Sequence, residues 1–216
     1  MRRTARRPLA AGRLKPAAVL WFGLALSVAG GIYLRVAVNL LASLLAMATL
    51  LSYLFLYTPL KRKTPLCTLV GAFPGAMPPL IGWAAASGRL SLRAWTLYAI
   101  LFLWQFPHFM AIAWMYREDY ARAGYLVLPA GPSMRASLVH LQTVLPLLVL
   151  VPLSLVPGWM GEGKVYLIGA LLLGAGFFYY GAQFVLHRSN SAARRLLAAS
   201  IVYLPALFVV MVLTHG

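Results

Sequence analysis

The chain has 216 residues, of which 62% are apolar and 10% charged, against roughly 25% charged in a soluble globular domain. No water-soluble fold of this length has enough interior to hide that much apolar surface. The net charge of +16 does not indicate nucleic acid, because the basic residues stand in short segments between apolar runs rather than in one patch or arm.

Seven stretches contain no Asp, Glu, Lys or Arg: residues 16–34, 36–60, 64–88, 94–116, 136–161, 165–186 and 196–216. About 20 helical residues cross the roughly 30 Å hydrocarbon layer. The pattern predicts an all-α polytopic membrane protein with about seven transmembrane helices, forming one domain over 1–216. The first stretch follows a basic segment, as a signal peptide does. It is long for one, however, and Gly30-Gly31-Ile32-Tyr33 offers no small-x-small cleavage site.

The loops fix an expected orientation. The N-terminal segment holds Arg2, Arg3, Arg6, Arg7, Arg13 and Lys15. Alternate loops hold Lys61, Arg62 and Lys63, then Arg117, Arg122 and Arg135, then Arg188, Arg194 and Arg195. The opposite side holds Arg35, Arg89, Arg93 and Lys164. The positive-inside rule then puts the N-terminus in the cytoplasm and the C-terminus outside. A single cysteine, Cys67, excludes an internal disulfide.

Along the chain, residues 64–88 carry Pro74, Pro78, Pro79, Gly71, Gly75 and Gly82, so this helix must bend. Gly71 and Gly75 also suit close helix packing. Pro107 deprives the Leu103 carbonyl of its donor one turn before His108. His108 and Asp119 are eleven residues apart, three helical turns, and are therefore expected to share a face, separated by roughly 16 Å along the axis. An ionisable residue at His108's depth suggests function, although a core histidine bonded to a neighbouring helix fits equally. Asp119 reads either as a functional carboxylate or as an interfacial partner of Arg117 or Arg122. Glu162 is expected to solvate the outer turn. Cations beside one carboxylate suit a diphosphate with a divalent metal, and they also suit anionic lipid.

Several motifs bear a resemblance. Tyr57-Thr58-Pro59-Leu60-Lys61-Arg62-Lys63-Thr64, Gly75-Ala76-Met77-Pro78-Pro79 through Trp83, Trp104-Gln105-Phe106-Pro107-His108, Asp119-Tyr120 and Leu128-Pro129 occur in order. With Met1 through Gly12 and Ser200 through Pro205, they resemble the UbiA superfamily of intramembrane prenyltransferases, in particular its protohaem IX farnesyltransferase branch. The resemblance implies a nine-helix bundle in the cytoplasmic (inner) membrane that transfers farnesyl from farnesyl diphosphate to a vinyl group of haem b, giving haem O. It implies Mg²⁺, with Asp119 as a metal ligand and catalytic residue beside Lys61 and Arg62. It also implies diphosphate contacts at Arg3 and Arg7, and Gln105 with His108 orienting haem. Haem A synthase or an oxidase-assembly factor is the partner this reading suggests.

One departure stands out. The family's first acidic motif, Asn-x-x-x-Asp-x-x-x-Asp, has no counterpart, and seven spans stand where nine are expected. The expectation is therefore that an upstream segment carries the motif, or that this chain alone is inactive. A non-catalytic haem-binding or oxidase-assembly subunit is the alternative. A transporter finds few intramembrane polar groups here, and a retinal protein would need a lysine in the last span.

Overall fold

A computed structural model describes residues 6–129 and 131–214; Arg3 lies outside the described residues. Helix α1 (Pro16–Tyr33) continues as a π-helical turn, Leu34–Val38. Asn39 caps α2 (Leu40–Leu51) through a bond from the Ala42 amide to its side chain. A second π segment, Ser52–Tyr57, and the short α3 (Thr58–Leu60) complete that span.

The proline-rich run breaks as expected. It divides into α4 (Cys67–Gly75) and α5 (Pro78–Ser87), with Ala76 and Met77 at the break. Pro78 and Pro79 open α5, where their missing N–H groups cost nothing. Helix α6 (Leu92–Met115) runs unbroken through Pro107, and Ser91 caps its start. It ends at Tyr116, and the separate α7 (Arg117–Arg122) follows.

Helices α8 (Pro132–Leu153), α9 (Gly163–His187) and α10 (Asn190–Thr214) complete the chain. By length and apolarity six helical runs can cross a membrane. One of these, Pro132–His187, has 56 residues and turns back at Gly161, whose φ is 124°. It therefore contributes two spans, α8 and α9, and the described residues make seven crossings.

Helices α6, α8, α9 and α10 form the tightest bundle. Tyr166, Phe177, Phe184, Leu196 and Tyr203 fill its interior. Small residues let the backbones approach: the space a side chain at Gly174 would need already meets Val151. Helix α1 differs, burying no residue and packing mainly on α2.

Candidate active-site cavity

A cavity of about 660 Å³ lies between α2 with its π extension, α4 and α6, and reaches the loop after α7. Its deep wall includes Gln105, which is 3% exposed. The Gln105 side-chain N–H group donates to Ala72 O and Leu101 O, both at 3.1 Å. Its amide oxygen lies where a side chain at Gly75 would have to go. Gly75 is therefore glycine for lack of room, and the pair ties α4 to α6 beside the bend.

Four tyrosines surround the mouth: Tyr53, Tyr57, Tyr120 and Tyr125. The π-helical Ser52–Tyr57 segment sets the Tyr53 and Tyr57 rings 5.1 Å apart. The Lys61 ammonium lies 4.2 Å from the Tyr57 ring centroid and 5.5 Å from that of Tyr53, within cation–π range. From the other side, the Leu126 amide donates to the Lys61 carbonyl at 2.9 Å. That bond fastens the post-α7 loop to the Lys61 turn. Gly124, with φ of 68°, reverses the loop so that Tyr125 N–H reaches Tyr120 O at 3.0 Å. Cys67, 1% exposed, lines the same cavity.

Of the residues singled out from sequence, Lys61 and Gln105 stand on the cavity wall. Arg62 is exposed beside Lys61, and Arg7 is exposed in the N-terminal turn. Asp119 precedes the wall residue Tyr120, and its Oδ1 pairs with Arg122 at 2.6 Å. Arg122 is thus the interfacial partner.

The expected alignment of His108 with Asp119 fails, because the helix ends at Tyr116 and an eleven-residue count across that break has no meaning. His108 instead faces α10. Its Nδ1 is 2.8 Å from Ser200 Oγ, and its ring stacks on Trp104 at 4.6 Å. Ser200 Oγ donates to Leu197 O, so Nδ1–H is the donor to Ser200. Trp104 also donates to Ser200 O at 2.8 Å. His108 does not line the cavity wall that Gln105 occupies, and its bond in this structure joins α6 to α10. Glu162 also departs from expectation: it is 6% exposed rather than solvated.

Among the described residues no three His, Cys, Asp or Glu side chains come together. Mg²⁺ demands near-octahedral oxygen coordination, and at this rim only Asp119 and exposed Glu118 offer carboxylates. The described residues do not make up a magnesium site.

The tyrosines are what sequence reasoning missed. The signal was available in part, since Tyr53 and Tyr57 are one turn apart in an apolar span and lead into Lys61.

Fold and cavity together define a polytopic helical membrane protein with an internal binding cavity that ends in a basic, aromatic mouth. The chain belongs to the UbiA prenyltransferase family, whose model matches residues 1–210. It is 53% identical over 215 residues to the protoheme IX farnesyltransferase of Solibacter usitatus, covering 99% of this chain and 73% of that protein. The protoheme IX farnesyltransferase of Sorangium cellulosum is 45% identical, covering 99% of this chain and 76% of the relative. A solved structure of a digeranylgeranylglyceryl phosphate synthase superposes with a TM-score of 0.79 at 19% identity, over 97% of this chain and 74% of that one. That likeness establishes the fold.

Proposed function

We infer that the protein transfers farnesyl from farnesyl diphosphate to a vinyl group of haem b, giving haem O. The observation that carries this reading is the 660 Å³ cavity, closed at depth by Gln105 and ringed by tyrosines and Lys61 at its mouth. The relatives' shared name supports the substrates, and the physical demands of the reaction fit the cavity.

The C1–O bond of the farnesyl chain breaks and diphosphate leaves with the electron pair. Lys61, with Arg62 and Arg7 at the same end, offsets the charge gathering on the leaving group. The allylic carbon left behind is cationic, and tyrosine faces stabilise such charge in a dry site. The terminal vinyl carbon of haem b then bonds to farnesyl C1. The positive charge passes to the inner vinyl carbon, which takes up water and releases a proton. Water must stay out until the carbon–carbon bond has formed, which suits a mouth covered by the Leu126–Lys61 loop contact.

Asp119 contributes one carboxylate at this rim, and Gln105 offers an amide to the porphyrin end. The bias of basic residues supports a cytoplasmic N-terminus in the cytoplasmic membrane. A haem A synthase or an oxidase-assembly factor is the partner this product would meet.

The test uses full-length protein in lipid nanodiscs with farnesyl diphosphate and haem b. A more apolar haem should appear by chromatography with stoichiometric diphosphate. Lys61→Met and Asp119→Asn should each lower turnover at least about a hundredfold, roughly 3 kcal/mol of transition-state stabilisation. A spectral shift of haem without new product would instead favour the haem-binding subunit. Turnover within threefold of the parent in both variants would remove these residues from the site.

A further inference from the structure

One face of the second span, α2 with its π extension, follows the 660 Å³ cavity from mouth to floor. Ala46, Thr49, Leu50, Tyr53 and Tyr57 recur there at helical spacing and all line it, with Lys61 next in the row at the mouth. The Thr49 hydroxyl donates to Leu45 O at 2.7 Å, so it is satisfied within its own helix and asks nothing of a ligand. The cavity closes one turn beyond Ala46. Ala42, next on the same face, is 0% exposed and stands outside the lining. At that level α2 packs on α5, whose Leu80 and Ala84 are fully buried. The Asn39 side-chain N–H group donates to Ala84 O at 2.8 Å and holds that end shut. Ala46 is thus the last and smallest side chain of the row before the closed end.

Eleven residues separate Ala46 from Tyr57, a rise of about 15 Å along a helix that includes a π turn. Ordinary carbon–carbon bond lengths make an extended farnesyl chain about 15 Å long as well, at roughly 5 Å per isoprene unit. One isoprene unit therefore matches one helical turn, roughly 5 Å. We propose that Ala46 sets the length of prenyl chain the protein accepts. With the diphosphate at Lys61, the third isoprene unit ends against Ala46, and a fourth meets the closed end. The proposal rests on the farnesyl-transfer reading and adds to it the residue that measures the substrate. The prenyl chain takes the α2 side of the cavity, which leaves Gln105 and Phe109 on the α6 side to the porphyrin. A larger side chain at position 46 fills the last turn of the row and excludes one isoprene unit.

The experiment compares chain lengths. Full-length protein in nanodiscs is titrated by calorimetry with geranyl, farnesyl and geranylgeranyl diphosphates, and each is then assayed for transfer to haem b. Wild type should bind farnesyl diphosphate at least about tenfold more tightly than geranylgeranyl diphosphate. Ala46→Phe should weaken farnesyl diphosphate at least about tenfold while leaving geranyl diphosphate within about threefold, and it should move the haem product toward the geranyl adduct. Ala46→Leu should shift the same ratio by less, and it carries the test if Ala46→Phe prevents folding. Leu44→Phe, on the exposed face of the same helix, should leave the ratio where it was. Equal wild-type affinity for farnesyl and geranylgeranyl diphosphates, or a farnesyl-to-geranyl ratio unmoved in both Ala46 variants, overturns the proposal. So does an equal loss at every length, the result expected if Ala46 serves packing alone. Titration needs no turnover, so the affinities decide the role of Ala46 even where no haem product forms, a result that would overturn the farnesyl-transfer reading instead.

Discussion

The α6–α8–α9–α10 bundle and the α2–α4 wall face each other across α6, yet they are built to different rules. The bundle buries whole aromatic side chains: Tyr166, Phe177, Phe184 and Tyr203 are at most 2% exposed. The wall keeps its aromatic rings partly open, with Tyr53 46% exposed beside Lys61. Packing that excludes every void cannot also admit a substrate. One side of α6 therefore holds shape, and the other leaves room.

The largest effect should come where the two rules meet. Gly75→Val places carbon against the Gln105 amide and should lower turnover at least about a thousandfold, roughly 4 kcal/mol, with overpacking costing about 2 kcal/mol of stability. Turnover assays and thermal melts on the same preparation would read both. Normal turnover would show that Gln105 can move aside and that the wall is softer than the contact implies.

Phe177→Ala should do the reverse. Removing that ring from the bundle should cost roughly 3 kcal/mol of stability and leave turnover per folded molecule within about threefold, a factor worth well under 1 kcal/mol. A comparable fall in turnover of folded protein would mean that the bundle shapes the cavity directly. The smallest effect belongs to Ser200→Ala. Losing the His108 partner should cost about 1 kcal/mol, and a cycle with His108→Ala should show the two coupled. Haem affinity unaltered in both variants would agree with the bond to α10; weakened haem binding would return His108 to the site.

The spans and the break near Ala76 were legible because charge spacing and proline act locally. Lys61 and Gln105 were legible because they sit in segments whose residues resemble the family. The alignment of His108 with Asp119 was misread because it depended on helix continuity, and Tyr116, with φ of −108° and ψ of 20°, ends that helix. The tyrosine mouth depends on a π-helical turn and on one bond between distant loops, Leu126 to Lys61. Neither leaves a period in the sequence. Glu162 was read as a solvated turn residue, and the cavity it lines takes other walls from α6 and α10, far away along the chain.

Cys67 gives the cavity a built-in reporter. It is the chain's one thiol, and it lines the cavity while remaining hidden from outside. A small thiol-directed label can therefore react with this chain at a single atom, and only by entering the cavity. Its labelling rate measures access to the cavity, and any occupant should slow it. Farnesyl diphosphate and haem b can thus be ranked as occupants by protection alone, with no turnover needed.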